Sequence, residues 1–79
     1  MSKFNKTIST LTTLRGRIQR WHDEGQAKLT IDKLDRQYNL GNGGRLIDST
    51  RDWYLKETAQ YATELEALIT AIDALKNIK

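Results

Sequence analysis

The sequence predicts an all-α domain, a small three-helix arrangement with a long C-terminal helix. Three observations carry that reading. Apolar residues recur at three- and four-residue steps over most of the chain. Proline is absent, and the five glycines stand at 16, 25, 41, 43 and 44, so the natural breaks fall near Gly25 and at Gly41 to Gly44. Ile47, Tyr54, Tyr61, Leu68 and Leu75 recur at exact sevens, which marks the long C-terminal helix. With 79 residues the chain makes one domain, and one of this size buries only about 60% of the surface its unfolded chain exposes.

The first predicted helix covers about 4–22. Phe4, Ile8, Leu11, Leu14, Ile18 and Trp21 fill one third of its circumference, and Lys6, Arg17 and Arg20 project to the other side. Arg15 falls inside the apolar arc, where its stem can lie on the core while its charge reaches a carboxylate; Glu57 and Glu64 are the expected partners. Gly16 lies on the polar side and weakens the helix by about 1 kcal/mol relative to Ala.

The second predicted helix, about 30–40, is capped by Thr30 and carries Asp32 in its first turn, where the helix dipole favours a negative charge. Ile31, Leu34 and Tyr38 form its apolar stripe. A helix this short is unstable alone, so the stripe is expected to dock on the third helix, on a flank marked by Leu46 and Trp53.

The third predicted helix, about 45–78, is the longest. Ile47, Tyr54, Tyr61, Leu68 and Leu75 recur at sevens, with Leu65, Ile69 and Ile72 beside them. Lys76 and Lys79 suit its C-terminal dipole, and Ser49 followed by Asp52 has the form of a capping box. The sevenfold row serves either as domain core or as a seam for a second copy or another helix. Its two tyrosines suit a core edge or an interface, because each hydroxyl needs a partner.

Between the last two helices stands "NLGNGGRL". A phosphate-binding loop would need a Lys-Ser/Thr pair after the glycines or a strand before them, and neither is present. A helix-turn-helix would place Asp48 and Asp52 against a phosphate backbone with the wrong sign. The reading that needs least is a joint, in which Asn39 or Gly41 supplies a left-handed residue and Gly43 and Gly44 let the chain reverse.

Chemistry is thinly represented. Cysteine is absent, which removes disulfides and thiolate metal sites. His22 is the single histidine, and in "HDE" at 22–24 three consecutive helical side chains point in three directions, so no metal site is expected. Glu64 and Glu66 are about 160° apart on a helical wheel and cannot act on one substrate. These negatives point away from an enzyme, and no cofactor is expected.

The net charge is +3, unevenly spread: nine Lys/Arg against four Asp/Glu up to Arg45, then four against six. The expectation is a small, non-enzymatic binding protein, a regulator or inhibitor of the kind made by phages and mobile elements, which covers a protein or nucleoprotein surface. Lys6, Arg17, Arg20, Arg45 and Trp53 are the candidate contact residues, Arg and Trp being the types that dominate hot spots. The alternative is nucleic-acid binding through the basic face of Lys6, Arg17 and Arg20. A cytoplasmic location and no membrane are expected, since no apolar run approaches a membrane span or a signal peptide.

Overall fold

A computed structural model describes residues 3–41 and 43–78, of which all the regular structure is helical. Two helices, not three, make up the fold: α1 (Asn5–Tyr38, 34 residues) and α2 (Asp48–Lys76, 29 residues). They run side by side in a rod of 56 × 17 × 15 Å. The first two predicted helices are one, and Thr30, expected to cap the second, lies exposed in the middle of α1. Lys79, assigned to the C-terminal dipole, lies outside the described residues.

The merger has a packing reason. The positions of α1 that turn inward, Leu11, Arg15, Ile18, His22, Gly25, Leu29 and Asp32, follow an unbroken alternation of four- and three-residue steps, the seam of a coiled-coil hairpin. Those of α2 are Tyr54, Thr58, Tyr61, Leu65, Leu68, Ile72 and Leu75. Gly25 belongs to this seam and is buried, with Thr58 and Tyr54 against it. It lets the two helices approach where a side chain would hold them apart. A glycine read as a break is therefore a spacer inside a continuous helix.

Among the described residues three apolar side chains are buried: Ile18, Leu65 and Ile72. Around them the two helices carry opposite charge. Within α1 seven Lys/Arg stand against four Asp/Glu, and within α2 three against six, so the net charges of the two helices attract. Arg15 is half-buried, but among the described residues no ion pair joins it to Glu57 or Glu64. Glu64 instead accepts a hydrogen bond from Gln60 at 3.2 Å, within its own helix.

The connection, 39–47, is held by two buried carboxylates of α1. α1 ends with Asn39 in the left-handed region (φ 51°, ψ 51°), followed by Gly41 at φ 66° and Gly43 at φ 82°, as the joint reading required. Asn42 lies outside the described residues. Asp35 accepts the Gly41 N–H at 2.8 Å and the Arg45 Nε–H at 2.9 Å. Asp32 accepts the Leu46 N–H at 2.7 Å and the Arg36 Nε–H at 3.0 Å. Arg36 in turn donates to the Leu46 carbonyl at 2.7 Å and approaches Asp48 at 3.4 Å. Both backbone groups of Leu46 are thus tied to α1.

α2 begins later than expected. Ile47 is its N-cap residue without a side-chain cap, so the Ser49–Asp52 box does not form, and Ile47, first member of the sevenfold row, is exposed. The antiparallel rod also excludes the roughly 90–120° crossing of a helix-turn-helix.

The Asp32 carboxyl is held below its ordinary value of 3.8, chiefly by the Leu46 N–H and then by Arg36 and Arg51, against the opposing effect of burial. Since the folded value lies below the unfolded one, the ionised carboxylate stabilises the hairpin above the ordinary carboxylate range. That contribution disappears as pH falls through 3.8 and then through the lower folded value. Asp32→Asn should lower the urea midpoint at neutral pH and flatten its acid dependence, so that the gap to wild type closes in acid. Parallel pH profiles for the two proteins would show that the carboxylate charge contributes nothing.

Candidate functional site

The best-formed concavity lies along one flank of the hairpin seam, a groove of about 330 Å³. The seam itself creates it. Gly25 and Thr58 form the floor, because a glycine opposite a threonine leaves the two helices close but the space above them unfilled. Thr58 directs its hydroxyl back to the Tyr54 carbonyl at 2.7 Å, so the floor offers little polarity to a ligand.

Aromatic rings build the walls. At one end Trp21 of α1 lies against Tyr61 of α2, with centroids 6.0 Å apart and planes tilted by 41°. At the other, Trp53 meets Tyr54 edge to face at 5.0 Å and 76°. Both geometries are favoured by the ring quadrupoles. The Tyr61 hydroxyl is held above its ordinary value of 10.0 by burial first, then by its hydrogen bond to Glu57 and the charges of Glu57 and Glu64. It remains a neutral donor at physiological pH, and its hydroxyl has the partner that an interfacial tyrosine needs.

Glu24, Lys28 and Glu57 complete the lining. Two carboxylates against one ammonium leave the groove acidic in a chain whose net charge is +3. Trp21 and Trp53 stay about half exposed, at 45% and 54%. Apolar rings facing water beside carboxylates suit an apolar side chain accompanied by a cation, since Arg or Lys can stack on the rings while meeting a carboxylate.

Of the five residues expected to make contacts, only Trp53 lines this groove. Lys6, Arg17 and Arg20 are exposed on α1 and, among the described residues, form no ion pair. Lys6 and Arg20 are fourteen positions apart, about 21 Å along the helix, so they make a spaced row rather than a cluster. Arg45 is engaged at the joint, with its Nε on Asp35 and its Nη2 on the Asp35 carbonyl at 2.9 Å.

Sequence reasoning missed Trp21, which it placed in the apolar arc of the first helix, and the role of Gly25. The signal available was the continuation of the four-three spacing through Gly25 into Leu29 and Asp32. His22 contacts Asp23 at 3.3 Å, and no group of three or more potential metal ligands occurs among the described residues. Among the described residues no helix is long and apolar enough to cross a membrane.

The floor makes a sharp prediction. A Cβ at position 25 meets the Thr58 methyl, and overpacking of about 1–3 kcal/mol outweighs the gain of about 1 kcal/mol that Ala brings to a helix. Gly25→Ala should therefore destabilise the hairpin. With Thr58→Ser, which keeps the hydroxyl and removes the methyl, the same substitution should become neutral or stabilising. Gly16→Ala, with open space around it, should stabilise by about 1 kcal/mol. Additivity of Gly25→Ala and Thr58→Ser in urea denaturation would refute the close-approach account.

No family model, characterised protein or solved structure matches the chain.

Proposed function

We propose that this chain is a non-enzymatic binding protein that covers part of a protein surface, taking an apolar anchor of its partner, accompanied by Arg or Lys, into the Trp21–Trp53 groove. The observation that carries this is the groove itself: four aromatic residues over an uncharged floor, rimmed by Glu24 and Glu57. Trp and Tyr supply large contact area at small conformational cost, and truncation of such anchors removes more binding energy than loss of rim charges. Regulation or inhibition is the effect expected of a slender rod laid on a partner.

The test uses a partner isolated with the wild-type chain from its host. Trp53→Ala and Trp21→Ala should each weaken binding at least tenfold, equivalent to about 1.4 kcal/mol, with unchanged helix content. Arg17→Ala combined with Arg20→Ala should leave the affinity within about twofold, as expected for exposed charges. An affinity that ignores both tryptophans and falls with the arginines would overturn the groove reading.

That last outcome belongs to the second reading, nucleic-acid binding. It is favoured by the absence of ion pairs on Lys6, Arg17 and Arg20 among the described residues. It predicts affinity for labelled duplex or single-stranded nucleic acid that drops steeply between about 50 and 200 mM salt.

A further inference from the structure

The end of the hairpin nearest the joint is built with its polarity reversed. From Gly25 onward the buried or half-buried positions of α1 are Gly25, Leu29, Asp32 and Asp35, of which one is a large apolar residue. About 200° round the helix from Gly25, Leu29 and Asp32 stand Ala27, Ile31 and Leu34, with Tyr38 in line on the next turn. All four are exposed. Ile31, Leu34 and Tyr38 are the stripe that the sequence required to dock, and they stay 49%, 42% and 62% exposed.

We propose that a second copy of the chain covers it, through an antiparallel contact between the two α1 helices. The spacing of Ala27, Ile31, Leu34 and Tyr38 is four, three, four, the heptad spacing of a helix seam. Run antiparallel about a two-fold axis, Ile31 of one copy lies opposite Leu34 of the other. Tyr38, the largest member, lies opposite Ala27, the smallest. The seam is thus complementary to itself in volume, as an isologous interface must be. Its four residues are uncharged, and on one flank Thr30 and Gln37 carry no charge; on the other stand Glu24, Lys28 and Asp35, of mixed sign, so two chains of net charge +3 meet without a block of like charge.

Surface area supports an occupant of this size. The chain exposes 6114 Å², whereas a compact monomer of its mass exposes about 4,900 Å². The excess, about 1,200 Å², is spread over the whole rod, where Trp21, Ile47, Trp53, Leu55 and Ile69 are exposed as well, and the stripe with its flanks supplies a part of it toward the ~800 Å² that each partner buries in a stable complex. Its radius of gyration of 17.2 Å likewise exceeds the about 12 Å of a compact domain of this length. A core of three buried apolar side chains leaves the hairpin needing cover whenever it is folded, and a second copy is the one partner always present. This inference does not depend on the groove, which faces another side.

Sedimentation velocity on the full chain between ~5 and ~200 µM, a range suited to an interface near the lower size limit, should show the mass rising from 9.1 kDa toward twice that value. Ile31→Glu with Leu34→Glu should hold it at the monomer mass, with helix content preserved. Register is tested by disulfides, since the chain has no cysteine of its own. An oxidised mixture of Ala27→Cys and Tyr38→Cys proteins should form the mixed dimer in preference to either symmetric one. A monomer at every concentration, a dimer that survives the double Glu variant, or preferential self-linking of Ala27→Cys would each overturn the proposal. So would occupation of the stripe by a different protein's helix while the chain alone stays monomeric. Trp53→Ala should dimerise as wild type does, so loss of partner binding in that variant bears on the groove alone.

Discussion

The hairpin depends on two carboxylates, Asp32 and Asp35, 2% and 3% exposed, which turn the end of α1 into an anchor for the chain that leaves it. A buried charge is costly unless it is paired and hydrogen-bonded, and here each has both an arginine and a backbone N–H. The nine residues between α1 and α2 would otherwise be a glycine-rich tether that leaves the second helix free to take any direction. By holding Leu46 through both its N–H and its carbonyl, Asp32 and Arg36 set where α2 starts. Every layer beyond follows from that register, Gly25 on Thr58 and Trp21 on Tyr61 among them.

The same arrangement explains where the apolar surface goes. Charged residues occupy the inward positions next to the joint, so the large side chains of that stretch have no room inside and stand on the outer face of α1. Farther along, Gly25 brings the helices close and leaves aromatic rings with nothing above them. Two unfilled apolar surfaces, the outer stripe and the groove, thus result from one device: small and charged residues placed where a conventional coiled coil would have leucine. They differ in character. The stripe is uncharged and matches itself; the groove is rimmed by carboxylates and matches something else.

Helical content, the long C-terminal helix and the reversal at 39–44 could all be read from the chain. Periodicity and glycine placement are local properties, and these features are local. What could not be read was long-range. Asp32 has the look of a first-turn charge for a helix beginning at Thr30, and its true partner, the Leu46 N–H, is fourteen positions away. Gly25 has the look of a break, and only the presence of Thr58 across the seam makes it a spacer. Arg45, next to exposed glycines, resembles a hand held out to an anion, yet its carboxylate is Asp35, already in place. In the groove, Trp21 was legible as an aromatic on the apolar arc but not as a wall, because a wall requires knowing which ring stands opposite.

The clamp at the joint also fixes an order of events in folding. Among the described residues the shortest closure between α1 and α2 is the twelve positions from Arg36 to Asp48, beside the ten from Arg36 to Leu46, and loop-closure entropy grows with length. Once it is closed, each further layer is added to helices already aligned and costs no new search, so the chain zips from the joint toward its two ends. Opening runs the other way. The layers near Phe4 and Leu75 are the farthest from the only tether, and they fray first. The rod is therefore graded along its 56 Å, tied at the joint where its charges are buried and untied at the end that carries Phe4 and Leu75.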